Sequence, residues 1–342
     1  MSLPGPPPRP SHEPVLALVT FCNAVASPES LFALVDISTG DLREVPFDYV
    51  FADFGATGLA WLPDGTLVLG LPGSCRLTLL SPDLEMIGHY TDDALDDVHS
   101  IAVRGDSLFA VATSRDSVLE YRVDANAFEP VTTHKLTDSG SDTVHVNSVC
   151  VHQGRVLVSV FGGSWRDHPV GSPIGAIIDL EDRRVVSTGL SHPHTLVSVD
   201  DDGLYVLGSF SGTAERVHPD GRRTLCAKYP GYLRGLSFFN GSALVGVSGR
   251  RKRSRGLGTV NVAGPEFDQR CGIIWFSPEW EVERFIDLSW FGREIFDVAL
   301  VDPTLVAPSP MDSLAAAKHR CVQLESSWEA PPGGPVPPNE AN

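Results

Sequence analysis

The chain has 342 residues, 42% of them hydrophobic, which is enough for a sizeable core in one large domain or two. Its net charge of −17 opposes phosphate backbones and excludes general nucleic-acid binding. No apolar stretch approaches the roughly 20 residues of a membrane span, and the N-terminus lacks the basic and apolar regions of a secretory leader.

Residues 1–13 are Pro-rich and read as disordered. Residues 14–307 read as strands separated by turns. Three strands come first: Val15–Cys22, Leu31–Asp36 and Leu42–Val45. A phrase then recurs, in which an anchor residue opens a short apolar strand. Its copies are Thr57-Gly-Leu-Ala-Trp, His99-Ser-Ile-Ala-Val, Asn147-Ser-Val-Cys-Val, His194-Thr-Leu-Val-Ser-Val, Arg234-Gly-Leu-Ser-Phe and Phe296-Asp-Val-Ala-Leu. A second apolar strand follows each of the early copies closely, as in Leu108–Thr113, Val156–Phe161, Leu204–Ser209 and Ala243–Ser248. Repeats of this length built from short strands predict an all-β propeller. The first three strands and the last one, Phe296–Val301, together make one more blade, so the ends of the domain close the ring and remove two exposed sheet edges. The count is six blades, with seven as the alternative if a repeat has diverged. After the propeller, residues 308–328 read as a helix, with Leu314, Ala317, Cys321 and Leu324 on one face and Asp312 as N-cap. Residues 329–342 read as a disordered tail.

The cysteines Cys22, Cys75, Cys150, Cys226, Cys271 and Cys321 form no CxxC pair. They read as reduced thiols in a core, which fits a cytoplasmic protein. A nucleophile elbow, a P-loop and a dinucleotide fingerprint are all missing, so no nucleotide or organic cofactor is indicated.

In a propeller the first residue of each phrase stands at one mouth of the central channel, where ligand sites gather. His99, His145, His192 and His194 come from three consecutive blades at that level. Imidazoles converging from separate blades suit a divalent transition metal such as Fe, Mn or Zn, and His99, His145 and His194 are the candidate ligands. Asp96, Asp97 and Asp297 could complete or orient such a shell. The alternative is that these histidines cap the blade tops with ordinary hydrogen bonds. Two loops exceed the usual length: 162–173, with Trp165, Arg166 and His168, and 249–270, with the run Arg250-Arg-Lys252-Arg-Ser-Arg255. Arg234, Arg250 and Lys252 suit an anionic ligand, with Asn147 and Trp165 as further contacts. Glu294, His168 and Asp97 are the candidates for moving a proton.

His99-Ser-Ile-Ala, His145-Val-Asn-Ser, Pro193-His194, Leu233-Arg-Gly-Leu-Ser-Phe, Arg270-Cys-Gly-Ile-Ile-Trp and Glu294-Ile-Phe-Asp-Val resemble the ordered motifs of a largely uncharacterised bacterial propeller family, a domain of unknown function. The resemblance covers about residues 95–301. It implies a site of His99, His145, Asn147, His194, Arg234 and Glu294 on the top face, and it supplies no reaction. The expectation is an enzyme of specialised biosynthesis acting on a small anionic metabolite: a metal-dependent lyase, isomerase, cyclase or hydrolase. One alternative is a cofactor-free acid/base enzyme resembling the strictosidine synthase-like propellers. Another is a non-catalytic scaffold that docks a protein partner.

Overall fold

A computed structural model of the chain describes residues 15–22, 32–43, 55–124, 127–199, 203–249, 253–254, 258–259 and 270–301. The Pro-rich N-terminus, the expected C-terminal helix and tail, and most of loop 249–270, Arg250 and Lys252 included, lie outside these residues.

The described strands form six four-stranded antiparallel sheets, each one blade of a propeller. In blade one the innermost strand is Ile295–Val301. It pairs with Leu16–Phe21, followed outward by Phe32–Asp36 and Leu42–Arg43. Blade two holds Leu59–Trp61, Leu67–Leu71, Arg76–Leu80 and Met86–Thr91. Blade three holds Val98–Arg104, Ser107–Ala112, Ser117–Asp124 and Ala127–Lys135. Blade four holds Val146–His152, Arg155–Val160, Gly175–Asp179 and Val185–Leu190. Blade five holds Pro193–Val199, Gly203–Gly208, Thr213–Val217 and Arg223–Lys228. Blade six holds Tyr232–Phe239, Ser242–Ser248, Gly272–Phe276 and Val282–Asp287. A small hairpin, Arg253–Ser254 with Gly258–Thr259, sits in the blade-six loop. The expected six blades and their closure by strands from both ends of the domain are both found.

Side chains alternate across a strand, so a blade wedged between two others must be apolar on both faces. That is why the second strands read as unbroken apolar runs. In blade two, Leu67 and Leu69 pack toward blade one, while Val68 packs toward blade three. In blade four, Val156 and Val158 face blade three, while Leu157 faces blade five. The core is accordingly six clusters, one in each gap between neighbouring blades.

A second device ties the blades together. Thr20 Oγ1 donates to the Thr57 carbonyl at 2.7 Å, Thr57 Oγ1 to Val98 at 2.6 Å and Thr113 Oγ1 to Val146 at 2.7 Å. Ser159 Oγ continues to Pro193 at 3.2 Å, Ser209 Oγ to Leu233 at 2.6 Å and Ser248 Oγ to Ile295 at 2.9 Å. Each bond runs from one blade to the innermost strand of the next or, at Thr57, to the residues leading into it, and the sixth returns to blade one. Such a buried bond contributes about 1 kcal/mol, and leaving its carbonyl unpaired would cost more.

Candidate functional site

Two residues per blade build the channel mouth. The phrase-opening ring is Thr57, His99, Asn147, His194, Arg234 and Phe296. The ring two residues earlier is Gly55, Asp97, His145, His192, Tyr232 and Glu294. The backbone explains how both rings reach one place. Gly55, Asp97, His145 and His192 are left-handed, with φ of 92°, 56°, 52° and 48°. In blades three to six a bulge follows where the innermost strand enters its sheet, at Val98/Ile101, Val146/Ser148, His194/Leu196 and Arg234/Leu236. Bulges re-aim side chains and concentrate beside functional sites, and left-handed non-glycine residues cost about 1–2 kcal/mol each. In blade six the bulged residue is Gly235, with φ of 71°. A Cβ there would lie 2.6 Å from the Val298 nitrogen of the adjoining strand, so only glycine fits.

Imidazoles and aromatic rings fill the mouth over blades three to five. His99 and His145 meet edge to face at 5.5 Å. His99 and His194 each meet Phe296, at 5.2 and 4.7 Å. His192 stacks on Phe161 at 4.4 Å, and His145 touches both Phe161 and Trp165. Hydrogen bonds define three tautomers. His99 Nδ1 lies 2.9 Å from the Asp97 carbonyl and must donate to it, which leaves Nε2 as the basic atom. His145 Nδ1 donates to the Asp142 carboxylate at 3.1 Å, with the same result. His192 Nε2 accepts the Gly171 N–H at 3.2 Å, so its proton sits on Nδ1, 3.4 Å from the Tyr232 hydroxyl.

Arg234 is the cation at the centre. It is buried, with its guanidinium 4.7 Å from the Tyr232 ring centroid and 5.6 Å from that of Phe296. Its Nη1 donates to Cys22 Sγ at 3.2 Å and lies 3.5 Å from Glu294 Oε2. Burial lowers the pKa of His99. Asp97 opposes the shift, and His145 and Arg234 reinforce it. Burial, with help from His145 and Arg234, lowers His192 to about 4. Both rings are therefore neutral at physiological pH. In the phrase-opening ring, Arg234 Nε and Asn147 Oδ1, on residues 5% and 1% exposed, have no hydrogen-bond partner among the described residues. Buried polar atoms are normally paired, so these two are poised for a ligand or for water.

Two aspartates hold this arrangement. Asp116 is fully buried and accepts the backbone N–H groups of Thr143, Val144 and His145, plus the hydroxyls of Thr137 and Thr143. Asp142 accepts from His145, Trp165 Nε1 and Arg166. Burial alone would raise the Asp142 carboxyl, but His145 and Arg166 outweigh it and hold it below the ordinary range. The blade-four loop is thereby folded onto the mouth, with Arg166 stacked on Trp165 at 4.5 Å.

The family model described as Domain of unknown function (DUF4915) matches residues 85–309. The chain belongs to that family. The match includes both rings from blade three to the closing strand, and leaves out Gly55, Thr57 and Cys22. No curated protein matches the chain. A protein of unknown function from Bacteroides caccae is similar in structure at a TM-score of 0.58 and 11% identity, over 84% of this chain and 99% of its own. A chain of the nidogen–laminin complex is similar at 0.58 and 13%, over 84% and 98%. A putative gluconolactonase aligns at 0.48 and 13%, over 74% and 80%. The two likenesses at 0.58 bear on the propeller fold alone.

Of the expected site residues, His99, His145, His194, Asn147, Arg234, Glu294 and Trp165 all stand at this mouth. Asp97 orients His99 through its carbonyl, and its carboxylate lies 3.5 Å from Nδ1. His168 is exposed, because the short 3-10 turn Trp165–Asp167 buries Trp165 and turns the next residue outward. Among the described residues, no three His, Cys, Asp or Glu are placed to hold a metal ion. The Nδ1 atoms of His99 and His145 are already engaged with Asp97 and Asp142. Among the described residues, no helix is long and apolar enough to cross a membrane. The reading of the sequence missed Tyr232, Cys22, Asp116 and Asp142 as parts of the site. Tyr232 had a signal, since it lies two residues before a phrase, as His145 and His192 do.

Proposed function

We propose that the channel mouth binds a small anionic metabolite and moves a proton on it, as an acid/base enzyme. The observation that carries this reading is a pair of buried atoms without a hydrogen-bond partner among the described residues, Arg234 Nε and Asn147 Oδ1, at a mouth whose His99 and His192 rings are neutral with defined tautomers. Arg234 would take a carboxylate or phosphate oxygen, and Asn147 would fix the ligand's orientation. His99, whose Nε2 is the basic atom, would be the base, with Asp97 holding its ring. Burial is the main cause of the lowered His99 pKa, and bringing an anion to Arg234 offsets the positive charge that adds to it. Binding would therefore make the imidazole a stronger base at the moment it is needed.

The test is incubation of the purified chain with a mixture of small metabolites, read by mass spectrometry beside an Asn147→Asp variant and a chelator-treated sample. The expected result is one anionic species consumed by the wild type and the chelated enzyme, and spared by the variant. Phosphate or small carboxylates should also raise the melting temperature of the wild type, and not of Arg234→Met. Turnover abolished by the chelator would replace this reading with a metal-dependent one. No anion-dependent stabilisation would remove the anion site.

A further inference from the structure

We infer that Cys22 is a nucleophilic thiol of this mouth, directed by Arg234 toward small carboxylates with a leaving group on the neighbouring carbon. The inference rests on the anion-binding reading above. Cys22 follows the strand Leu16–Phe21, and its backbone N–H donates to the Glu294 carbonyl at 3.0 Å. That places the sulfur between two charged groups of opposite sign. Arg234 Nη1 is 3.2 Å from Sγ, and Glu294 Oε2 is 3.7 Å from it. A guanidinium N–H aimed at sulfur favours the thiolate, which is the nucleophilic form. A carboxylate in contact with the thiol S–H is the group that can take its proton. The second observation is Arg234 Nε, buried and without a hydrogen-bond partner among the described residues. One guanidinium thus serves the sulfur from one nitrogen and offers another N–H to a carboxylate.

The step balances. Glu294 takes the thiol proton, and an electron pair on sulfur forms the S–C bond. The bond from carbon to the leaving group breaks, and the leaving group departs with the electron pair of the broken bond. Cys271 also feels Glu294, but among the described residues no cation acts on its sulfur or on that of Cys150. Burial pushes Cys150 and Cys271 up to about 12. Cys75 is partly exposed and provides an internal reference.

The experiment treats the full-length protein at neutral pH with iodoacetate or iodoacetamide, and maps labelling of each cysteine by peptide mass spectrometry over time. For iodoacetate the leaving group is iodide. The expected iodoacetate-to-iodoacetamide rate ratio at Cys22 is about tenfold above that at Cys75, because the cation concentrates the anionic reagent. Inorganic phosphate should slow labelling at Cys22 and not at Cys75. Arg234→Met should bring the two ratios together, and Arg234→Lys should retain part of the preference. The phosphate measurement uses the wild type, so it holds even if a variant fails to fold. The inference is overturned if native Cys22 stays unlabelled while Cys75 reacts, or if both show one ratio. If phosphate still stabilises the protein in that case, the anion-binding reading stands and only the nucleophile is lost. If phosphate does not stabilise it, both fall.

Discussion

Asp116→Ala probes how the mouth is held in shape. The Asp116 carboxylate accepts the N–H of Thr143 at 2.7 Å, of Val144 at 3.0 Å and of His145 at 3.1 Å. These three amides carry His145 into the site; the Thr143 N–H also reaches the Ser141 carbonyl at 2.9 Å, while Asp116 is the one acceptor described for Val144 and His145. They are only partly buried, so losing the carboxylate costs about 1 kcal/mol per amide. Asp116 is also left-handed, with φ of 48°, a conformation that alanine tolerates less well than Asp or Asn. Two amides left without an acceptor and the backbone term together give a loss of about 3 kcal/mol for Asp116→Ala. Asp116→Asn keeps one acceptor oxygen and tolerates the backbone, so it should lose about half as much. The assay is urea unfolding, read as a midpoint shift at unchanged slope. Hydrogen exchange at residues 143–145 should rise in the same order. A loss below about 1 kcal/mol for Asp116→Ala would refute the assignment of Asp116 as the anchor of this segment.

His192→Phe should flatten part of the acid limb of stability. The folded pKa near 4 lies below the unfolded value, so this group's contribution is complete above about pH 6.5 and declines as pH falls toward 4. The wild type's stability relative to the variant should therefore drop by on the order of 3 kcal/mol across that window, and a constant gap would contradict it. Asp297→Asn should behave oppositely. Burial raises the Asp297 carboxyl to about 7, with the Val298 and Leu59 N–H groups opposing it, so its contribution is present in acid and lost as pH rises through 7. Urea titrations at pH 5 and pH 8 should show the variant gaining on the wild type at the higher pH; an unchanged difference would refute the shift. Ser209→Ala removes one bond of the hydroxyl ring and should cost about 1 kcal/mol in the same assay. A neutral result would mean that water or a rearranged neighbour pairs the Leu233 carbonyl.

Much of the fold was legible because blades are apolar on both faces. Runs such as Val156–Phe161 announce themselves without any alternation to decode. Closure was legible by counting, since Phe296–Val301 had no partner strands except those at the start. The phrase-opening ring came from the same repeat. The supports of the site were not legible. Asp116 acts on His145 from 29 positions away, through backbone amides that leave no mark in the sequence. Cys22 looks like any core thiol until its guanidinium neighbour, 212 residues distant, is brought beside it. The left-handed turns at Asp97, His145 and His192 are equally silent, because those residue types are common everywhere. The placement of His168 was equally hidden: it shares a loop with Trp165, yet one turn of backbone separates the buried ring from the exposed one.

The closing strand Ile295–Val301 has a consequence for when the mouth comes into being. It carries Phe296, follows directly on Glu294 and pairs with residues from the far end of the fold. On an emerging chain, blades two to six can zip from local contacts, yet the mouth then lacks the Glu294 carboxylate, the ring that backs Arg234 and the strand that seats Cys22. Pairing so distant in sequence is the slow event in folding. Competence for ligand therefore arrives with the last piece of the ring, and a fluctuation that frees this one strand withdraws it without unfolding the other five blades.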